Sequence, residues 1–343
     1  MTRTTLSATD AALLATQASE VSSCLDTYIA SDRPVALLKF PLDDNVGNHM
    51  MWLSICDYLK SRGIRIAYTA HEWDFNVHDL VKAIGNGPIL FLGGVTVSRL
   101  WPDHAKVKRA VADACPGNRL ISLPSTMLFV DDDDRREAGT IFGDHRDVVM
   151  MARDPVSAAS AREIFPDHTE VVTVHDSTFL LSPQPRAAAS SAHDVIWLAR
   201  ADKESAGYTV PDDVKVFDWT PWDRNPVYVK AGRIGSKLGR SAPMLLPMTT
   251  AVVSASYRAI SQQLISHGND VLDQGKVLVS DRMHPHILAA LRSQHCVLLP
   301  DQFGKNRAVW EYSTRGYSTI HWADEPSQAL EIARALAAAP EAV

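Results

Sequence analysis

An α/β fold of two Rossmann-like domains is predicted by three features of the sequence. Short apolar runs, such as VALLKF at Val35–Phe40 and PILFL at Pro88–Leu92, alternate with amphipathic stretches of helix length, the pattern of parallel strands joined by crossover helices. The runs end on polar or glycine-rich turns, which is where open parallel sheets bind ligands. A chain of 343 residues exceeds one ordinary core, and Ser182–Ser191 (SPQPRAAASS) reads as a linker. The division expected is 1–186 and 187–343, facing across a cleft.

Each element has its own signal. Leu13, Leu14, Val21, Leu25 and Ile29 fall near a helical period, so Ala11–Ile29 is predicted as a leading helix, stopped by Asp32-Arg33-Pro34. The strand Val35–Phe40 passes through a polar turn, Pro41–Asn48, into a helix from His49 to Arg62. Further strands are expected at Arg65–Thr69, Pro88–Leu92 (ending on Gly93-Gly94), Arg119–Leu123 (ending on Pro124-Ser125-Thr126), Asp147–Ala152 (ending on Arg153-Asp154) and Glu170–Val174 (ending on His175-Asp176). Helices are expected at Asn76–Ile84, Lys106–Ala114 and Pro155–Phe165, the last with proline where no backbone N–H is needed. After the linker come strands at Asp194–Leu198, ending on Arg200, and Val214–Asp218, ending on Trp219. A long helix, Thr250–Ser266, the strand Val277–Ser280 and a helix from Pro285 follow. The strand Cys296–Leu299, a helix over Arg307–Ser313, the strand Ser318–Trp322 and an alanine-rich helix complete the chain.

Composition narrows the function. Apolar residues make up 46% and charged residues 22%, as in a globular protein. The net charge of −6 implies no general affinity for nucleic acid, and an anionic ligand would need a locally basic site. Cys24, Cys56, Cys115 and Cys296 lack CxxC spacing, which suggests reduced, mostly buried thiols and a cytoplasmic setting. No apolar run approaches a membrane span, and the N-terminus lacks the apolar core of a signal peptide.

The densest chemistry lies in Lys276–Arg292 (KVLVSDRMHPHILAALR). If the helix starts at Pro285, His284 stands at its N-cap among free backbone N–H groups, a ready anion site, with Arg282 beside it. The alternative is that Arg282 pairs with Asp281 and His284 only caps. Arg153-Asp154-Pro155 repeats the arrangement, and Ser157 could donate to an anion there; an Arg153–Asp154 surface pair is the alternative. The loop Asp43-Asp44-Asn45-Val46-Gly47-Asn48 suits a sugar hydroxyl or a phosphate, or is a simple turn; it is not GxGxxG, which disfavours a nicotinamide site. Asp131–Asp134 reads as a solvated loop, and the histidines show no metal spacing, so no metal is expected. Trp219 and Trp222 could stack on sugar rings or pack inside. Arg233, Lys237 and Arg240, in GRIGSKLGR, read as a mobile basic loop, or as a contact for a diphosphate or an acidic membrane surface.

Taken together and in order, these segments resemble the polysaccharide pyruvyltransferase family from about Val35 to Trp322. The resemblance rests on Asn45-Val46-Gly47-Asn48, Gly93-Gly94, Leu123-Pro124-Ser125, Ala152–Ser157, Asp176, Val279–His284 and Lys305, with the Arg282-Met283-His284 turn the most specific. One departure is that Asn48 takes the place of the acid in the usual Asn-x-Gly-Asp. The resemblance implies a fold similar to GT-B glycosyltransferases, with 1–186 on the acceptor side and 187–343 on the donor side. It implies transfer of the enolpyruvyl unit of phosphoenolpyruvate to a sugar of a polysaccharide or lipid-linked glycan, closure to a ketal, and release of phosphate.

The donor's phosphate and carboxylate call for cations, and Arg153, Arg200, Arg282 and Lys305, with Ser157, are the donor-binding candidates. His284 is the candidate acid for the methylene carbon, and Asp44 or Asp176 the candidate base. Asn45, Asn48, Trp219 and Trp222 are the acceptor-binding candidates. No cofactor is implied beyond phosphoenolpyruvate as co-substrate, and the location implied is cytoplasmic, with contact to the inner face of the membrane as a further expectation. The competing readings are a nucleotide-sugar glycosyltransferase, in which Arg282 and Lys305 hold a diphosphate, and a non-catalytic glycan-binding relative, which Asn48 alone suggests.

Overall fold

A computed structural model describes residues 6–339 apart from 96, 185, 187–190, 201, 203, 220–225 and 242. Trp222 lies outside the described residues. The strands form two sheets, parallel throughout. The first contains β1 (Val35–Leu38), β2 (Ile66–Ala70), β3 (Ile89–Phe91), β4 (Gly94–Val95), β5 (Leu120–Thr126), β6 (Val148–Ala152) and β7 (Glu170–Thr173), in the order β2-β1-β3-β5-β6-β7 with β4 beside β5. The second contains β8 (His193–Leu198), β9 (Lys215–Phe217), β10 (Gly275–Ser280), β11 (Cys296–Leu298) and β12 (Ile320–Trp322), in the order β12-β11-β10-β8-β9. Central strands are buried on both faces, which is why they read as continuous apolar runs rather than alternating ones. Pro124 sits inside β5, where a ladder N–H is lost; a register shift against β6 between Ser122 and Ser125 accommodates it.

The helices are α1 (Ala8–Tyr28), α2 (Val46–Ser61), α3 (Val77–Ile84), α4 (Pro102–Ala114), α5 (Asp132–Gly139), α6 (Pro155–Ile164), α7 (Pro226–Ser241), α8 (Leu246–Leu272), α9 (Met283–Leu291), α10 (Lys305–Val309) and α11 (Pro326–Ala338). Five start on a side-chain cap: Ser7, Asn45, Asn76, Asp131 and Asp154 each accept a backbone N–H from the first turn.

Three predicted features change. First, α9 begins at Met283, not Pro285, with Arg282 as N-cap. The first four N–H groups of a helix have no intrahelical acceptor, so proline at the third helical position removes no helical hydrogen bond. His284 is therefore inside the first turn. Second, GRIGSKLGR is not a loop but lies within α7. Gly232, Gly235 and Gly239 face α8, where added Cβ atoms would come within 3.5 Å of Tyr257, 2.9 Å of Val253 and 2.8 Å of Thr249. The glycines let the two helices approach closely, and that packing offsets their poor helix propensity. Third, Asp131–Asp134 is a helix start, and Asp134 is buried: it accepts from the Ser98 hydroxyl and the Arg99 and Val130 amides.

Packing crosses between the two sheets. Leu14 of α1 and Val46, Met50 and Leu53 of α2 share a core with Ile196, Leu198 and Leu278 of the second sheet and Ile287 of α9. Although it follows β9 in the chain, α8 packs on α2 and β2: Tyr257 stacks on Phe40 with ring centroids 3.7 Å apart, and Arg258 pairs with Asp57 at 2.6 Å. The cysteines are free, Cys115 and Cys296 buried and Cys24 and Cys56 half-buried.

Candidate active site

A cavity of about 660 Å³ is lined by residues that follow strands of both sheets. From the first sheet come Lys39 after β1, His71-Glu72-Trp73 after β2, Gly93-Gly94 after β3, and Arg153 after β6. From the second come Arg200 after β8, Asp218-Trp219 after β9, Arg282 and His284 after β10, and Lys305 beyond β11.

The centre of the wall is a chain of three buried side chains. One oxygen of Asp176 accepts from Arg153 at 2.8 Å and lies 3.6 Å from His284 Nε2. The second distance is beyond hydrogen-bond length and becomes an ion pair only when the imidazole is protonated. The other oxygen accepts the Thr178 amide and hydroxyl. Burial alone would raise the Asp176 carboxyl; His284, Arg153 and Thr178 outweigh it and hold the group well below the usual carboxylate range. His284 moves the other way: burial lowers its pKa against the pull of Asp176, with Arg153 and Lys305 adding to the lowering. The unliganded site thus holds a carboxylate and a neutral imidazole. The imidazole is seated by Gly47: a Cβ there would stand 2.2 Å from His284 Cγ and Nδ1. The glycine of the Asn45–Asn48 segment is a socket for a histidine almost 240 positions away.

The three cations of the second sheet are paired with acids. Arg200 meets Asp202 at 2.6 Å and Glu204 at 3.0 Å; Arg282 meets Asp218 at 2.8 Å; Lys305 pairs with Glu204. Among the described residues, five Lys and Arg (Lys39, Arg153, Arg200, Arg282, Lys305) and six Asp and Glu (Asp43, Glu72, Asp103, Asp202, Glu204, Asp218) line the cavity. What the fold supplies is a set of cations held in place by carboxylates with which an anionic ligand would compete. Arg282 pairs with Asp218 rather than with its neighbour Asp281, whose carboxylate accepts the Arg200 amide at 2.9 Å.

Other predicted residues take different places. Ser157 does not line the cavity; its hydroxyl donates to Asp154 at 2.7 Å and accepts the Met127 amide at 3.1 Å. Asp176 is fully buried and also off the lining. Asp44 is half-buried and not on the lining, whereas Asp43 is exposed and on it. Asp43 accepts the Asn45 amide at 2.9 Å and the Asn48 side-chain amide at 3.0 Å. Trp219 touches the cavity but is 1% exposed and belongs to the core, so its ring is not offered for stacking. Trp73 and Trp101, 74% and 37% exposed, line the cavity instead.

Sequence reasoning missed one group entirely. Glu72 bridges His71 at 2.7 Å and His104 at 2.8 Å. Burial alone would raise the Glu72 carboxyl, but contact with His104 and His71 holds it well below the usual range. Burial pushes His104 down to about 4, so it is neutral at physiological pH. Beside them Lys39 is buried, donates to the Leu92 carbonyl at 3.3 Å, and has a pKa lowered by burial to about 8. Its φ of 69° lies in the left-handed region, a strain of order 1 kcal/mol for a non-glycine residue. The strand-end rule that selected Arg153 points to His71-Glu72, just beyond the strand expected at Arg65–Thr69, whereas Lys39 lies inside the strand expected at Val35–Phe40 and shows as a strand-end residue only because β1 stops at Leu38. Among the described residues, no three His, Cys, Asp or Glu side chains are placed to share a metal ion.

The sequence profile of the Polysaccharide pyruvyl transferase family matches residues 45–241, more than half the chain. The chain belongs to that family. Relatives of this pyruvyl transferase family member include Pyruvyl transferase 1 of Schizosaccharomyces pombe, 26% identical over 299 residues (81% of this chain, 69% of the relative). EpsO of Bacillus subtilis is 20% identical over 292 residues, covering 84% of this chain and 87% of that one. A solved structure of a functionally uncharacterized protein from Klebsiella pneumoniae matches with a TM-score of 0.56 at 14% identity, over 90% of this chain and 99% of that one, a likeness of fold alone. The family is one of transferases, and no helix among the described residues is long and apolar enough to cross a membrane.

Proposed function

We propose that the protein transfers the enolpyruvyl unit of phosphoenolpyruvate to two hydroxyls of a glycan, in a cleft between two domains divided near residues 186 and 187, as in GT-B enzymes. The observation that supports this best is the convergence of Arg153 and His284, both backed by the buried Asp176, on one cavity with Arg200, Arg282 and Lys305. The cations engage the phosphate and carboxylate of the donor in competition with Asp202, Glu204 and Asp218. His284, protonated when the dianion arrives, delivers its proton to the methylene carbon, which becomes the methyl group. C2 then accepts the first hydroxyl oxygen. The second hydroxyl displaces phosphate, so that two C–O bonds form at C2 and the bond to the phosphate oxygen breaks. Asp43 takes the proton of one hydroxyl and releases it to solvent, from which His284 is reprotonated, and the proton of the other hydroxyl leaves with phosphate.

Asp176 is here a positioning residue for Arg153 and His284. The acceptor-side base is Asp43, whose carboxylate is on the cavity wall and is held by Asn48, the residue that stands where the family's acid is expected. Trp73 and Trp101 offer apolar faces to the sugar, and the Glu72-bridged histidines its hydrogen-bonding partners. Asp43→Asn should lower kcat by about 100-fold or more, the usual scale for a positioned base, whereas Asp44→Asn should change it less than about threefold. Equal effects of the two variants would remove Asp43 from this role.

The reaction is tested by incubating the protein with phosphoenolpyruvate and a panel of glycans. Phosphate release together with a pyruvate ketal on the sugar is the expected outcome. Release of a nucleoside diphosphate from a nucleotide sugar, with no use of phosphoenolpyruvate, would replace this reading with a glycosyltransferase.

A further inference from the structure

The helices α7 and α8 carry a surface that pyruvyl transfer does not use. They pack antiparallel, Gly232 opposite Tyr257 and Gly239 opposite Thr249. The pair is anchored at the Tyr257 end, where Tyr257 stacks on Phe40, the neighbour of cavity residue Lys39. From Tyr257 to Leu246, α8 rises about 17 Å away from that anchor.

Apolar exposure is concentrated on this pair. Of the thirteen large apolar side chains that are exposed among the described residues, seven lie between Val227 and Val252, with Met244 at 96%. The outward face of α7 mixes Val227, Ile234 and Leu238 with exposed Lys230, Arg233 and Lys237. The outward face of α8 adds Met248 and Val252. From Pro226 to Asn269 the sequence has no Asp or Glu and five Lys or Arg, in a chain whose net charge is −6. An apolar patch of this kind marks an interaction site, and the charge pattern selects the partner. A second copy of the chain meeting this face in a two-fold contact would set Lys230, Arg233 and Lys237 against their own equivalents. An anionic lipid surface satisfies both features at once, the cations at the headgroups and the apolar side chains at the acyl boundary.

We propose that the α7–α8 pair docks the protein on an anionic phospholipid bilayer, with Ile234, Leu238, Met244 and Met248 entering the interface and Lys230, Arg233 and Lys237 at the headgroups. The docked pair holds the cavity near the membrane surface, where a lipid-linked acceptor would be presented; that last step rests on the pyruvyl-transfer reading, whereas docking does not.

The test is flotation of the full chain with vesicles of phosphatidylcholine and with vesicles enriched in phosphatidylglycerol, at low and at high salt. Flotation with the anionic vesicles only, weakened by salt, is expected. Lys230→Ala/Arg233→Ala/Lys237→Ala should reduce partitioning by about 100-fold, from roughly fivefold per cation near such a surface. Ile234→Ser/Leu238→Ser/Met248→Ser should also detach the protein. Both variants should keep wild-type phosphate release with a soluble acceptor, so failure of the proposed reaction would appear in every protein alike and failure of docking in flotation alone. Absence of flotation at low salt, unchanged flotation of either variant, or a dimer in light scattering that the same substitutions dissociate without any vesicle binding, would each overturn the proposal.

Discussion

Replacing His284 by alanine should reduce kcat by about 100- to 10,000-fold, the range over which a positioned proton donor acts, while phosphoenolpyruvate binding changes by less than about tenfold, or 1.4 kcal/mol. Binding is spared because the cations stay in place. Asp176, though fully buried, keeps Arg153 at 2.8 Å and both Thr178 donors, so the substitution strands no charge. A pH dependence separates this role from a merely structural one. Burial lowers the His284 pKa in the unliganded site, and a bound dianion raises it, so donor binding takes up a proton. Donor affinity should therefore fall as pH rises past the free-state pKa, by at most tenfold per unit, and level off above the bound-state value. His284→Gln should bind the donor with that slope removed. Wild-type turnover in His284→Ala, or the same slope in His284→Gln, would exclude the histidine from proton transfer.

Gly47→Ala should be nearly as damaging, although the residue carries no functional group. Two effects oppose each other. Exchanging glycine for alanine within a helix such as α2 gains about 1 kcal/mol from propensity. Against this, the new methyl would stand 2.2 Å from the His284 ring, far inside van der Waals contact, so the imidazole must leave its place or α2 must part from α9. Overpacking of this kind costs about 1–3 kcal/mol, and the steric term wins. A kcat loss of at least about 100-fold is expected, on the same scale as removal of the acid, together with a lower Tm. The double variant Gly47→Ala/His284→Ala should be no less active than His284→Ala and should recover part of the lost stability, because the ring that clashed is gone. Additive losses in that cycle would show that Gly47 acts on something other than His284.

Much of the fold was legible because its signals are local. Central parallel strands are apolar on both faces, so runs such as VALLKF and KVLVS stand out in any context, and the turns after them are where the cavity lies. Arg153, Arg200, Arg282 and His284 were selected by that rule and Lys305 by the family resemblance, and all five line one cavity. Lys39 is hidden because the apolar run VALLKF extends past it while β1 stops at Leu38, and the Glu72 cluster because its partner His104 is 32 residues away.

Where the sequence misled, a distant contact overrode local propensity. Three glycines in GRIGSKLGR suggest a loop until α8 lies close enough to need them. Indole rings after β9 look ready for a sugar, yet Trp219 is drawn into the core while Trp73 and Trp101 stay at the cavity. By itself, then, the sequence determined the order of strands and helices and the chemical groups at their ends, since these depend on residues within a few positions of one another. Only the tertiary structure decided that Asp43 rather than Asp44 faces the cavity, that Asp176 pairs with Arg153 and stands beside His284, and that Gly47 seats a ring nearly 240 residues away. Those outcomes are set by how two sheets and the helices shared between them pack, and no local pattern encodes the distance between side chains on separate elements.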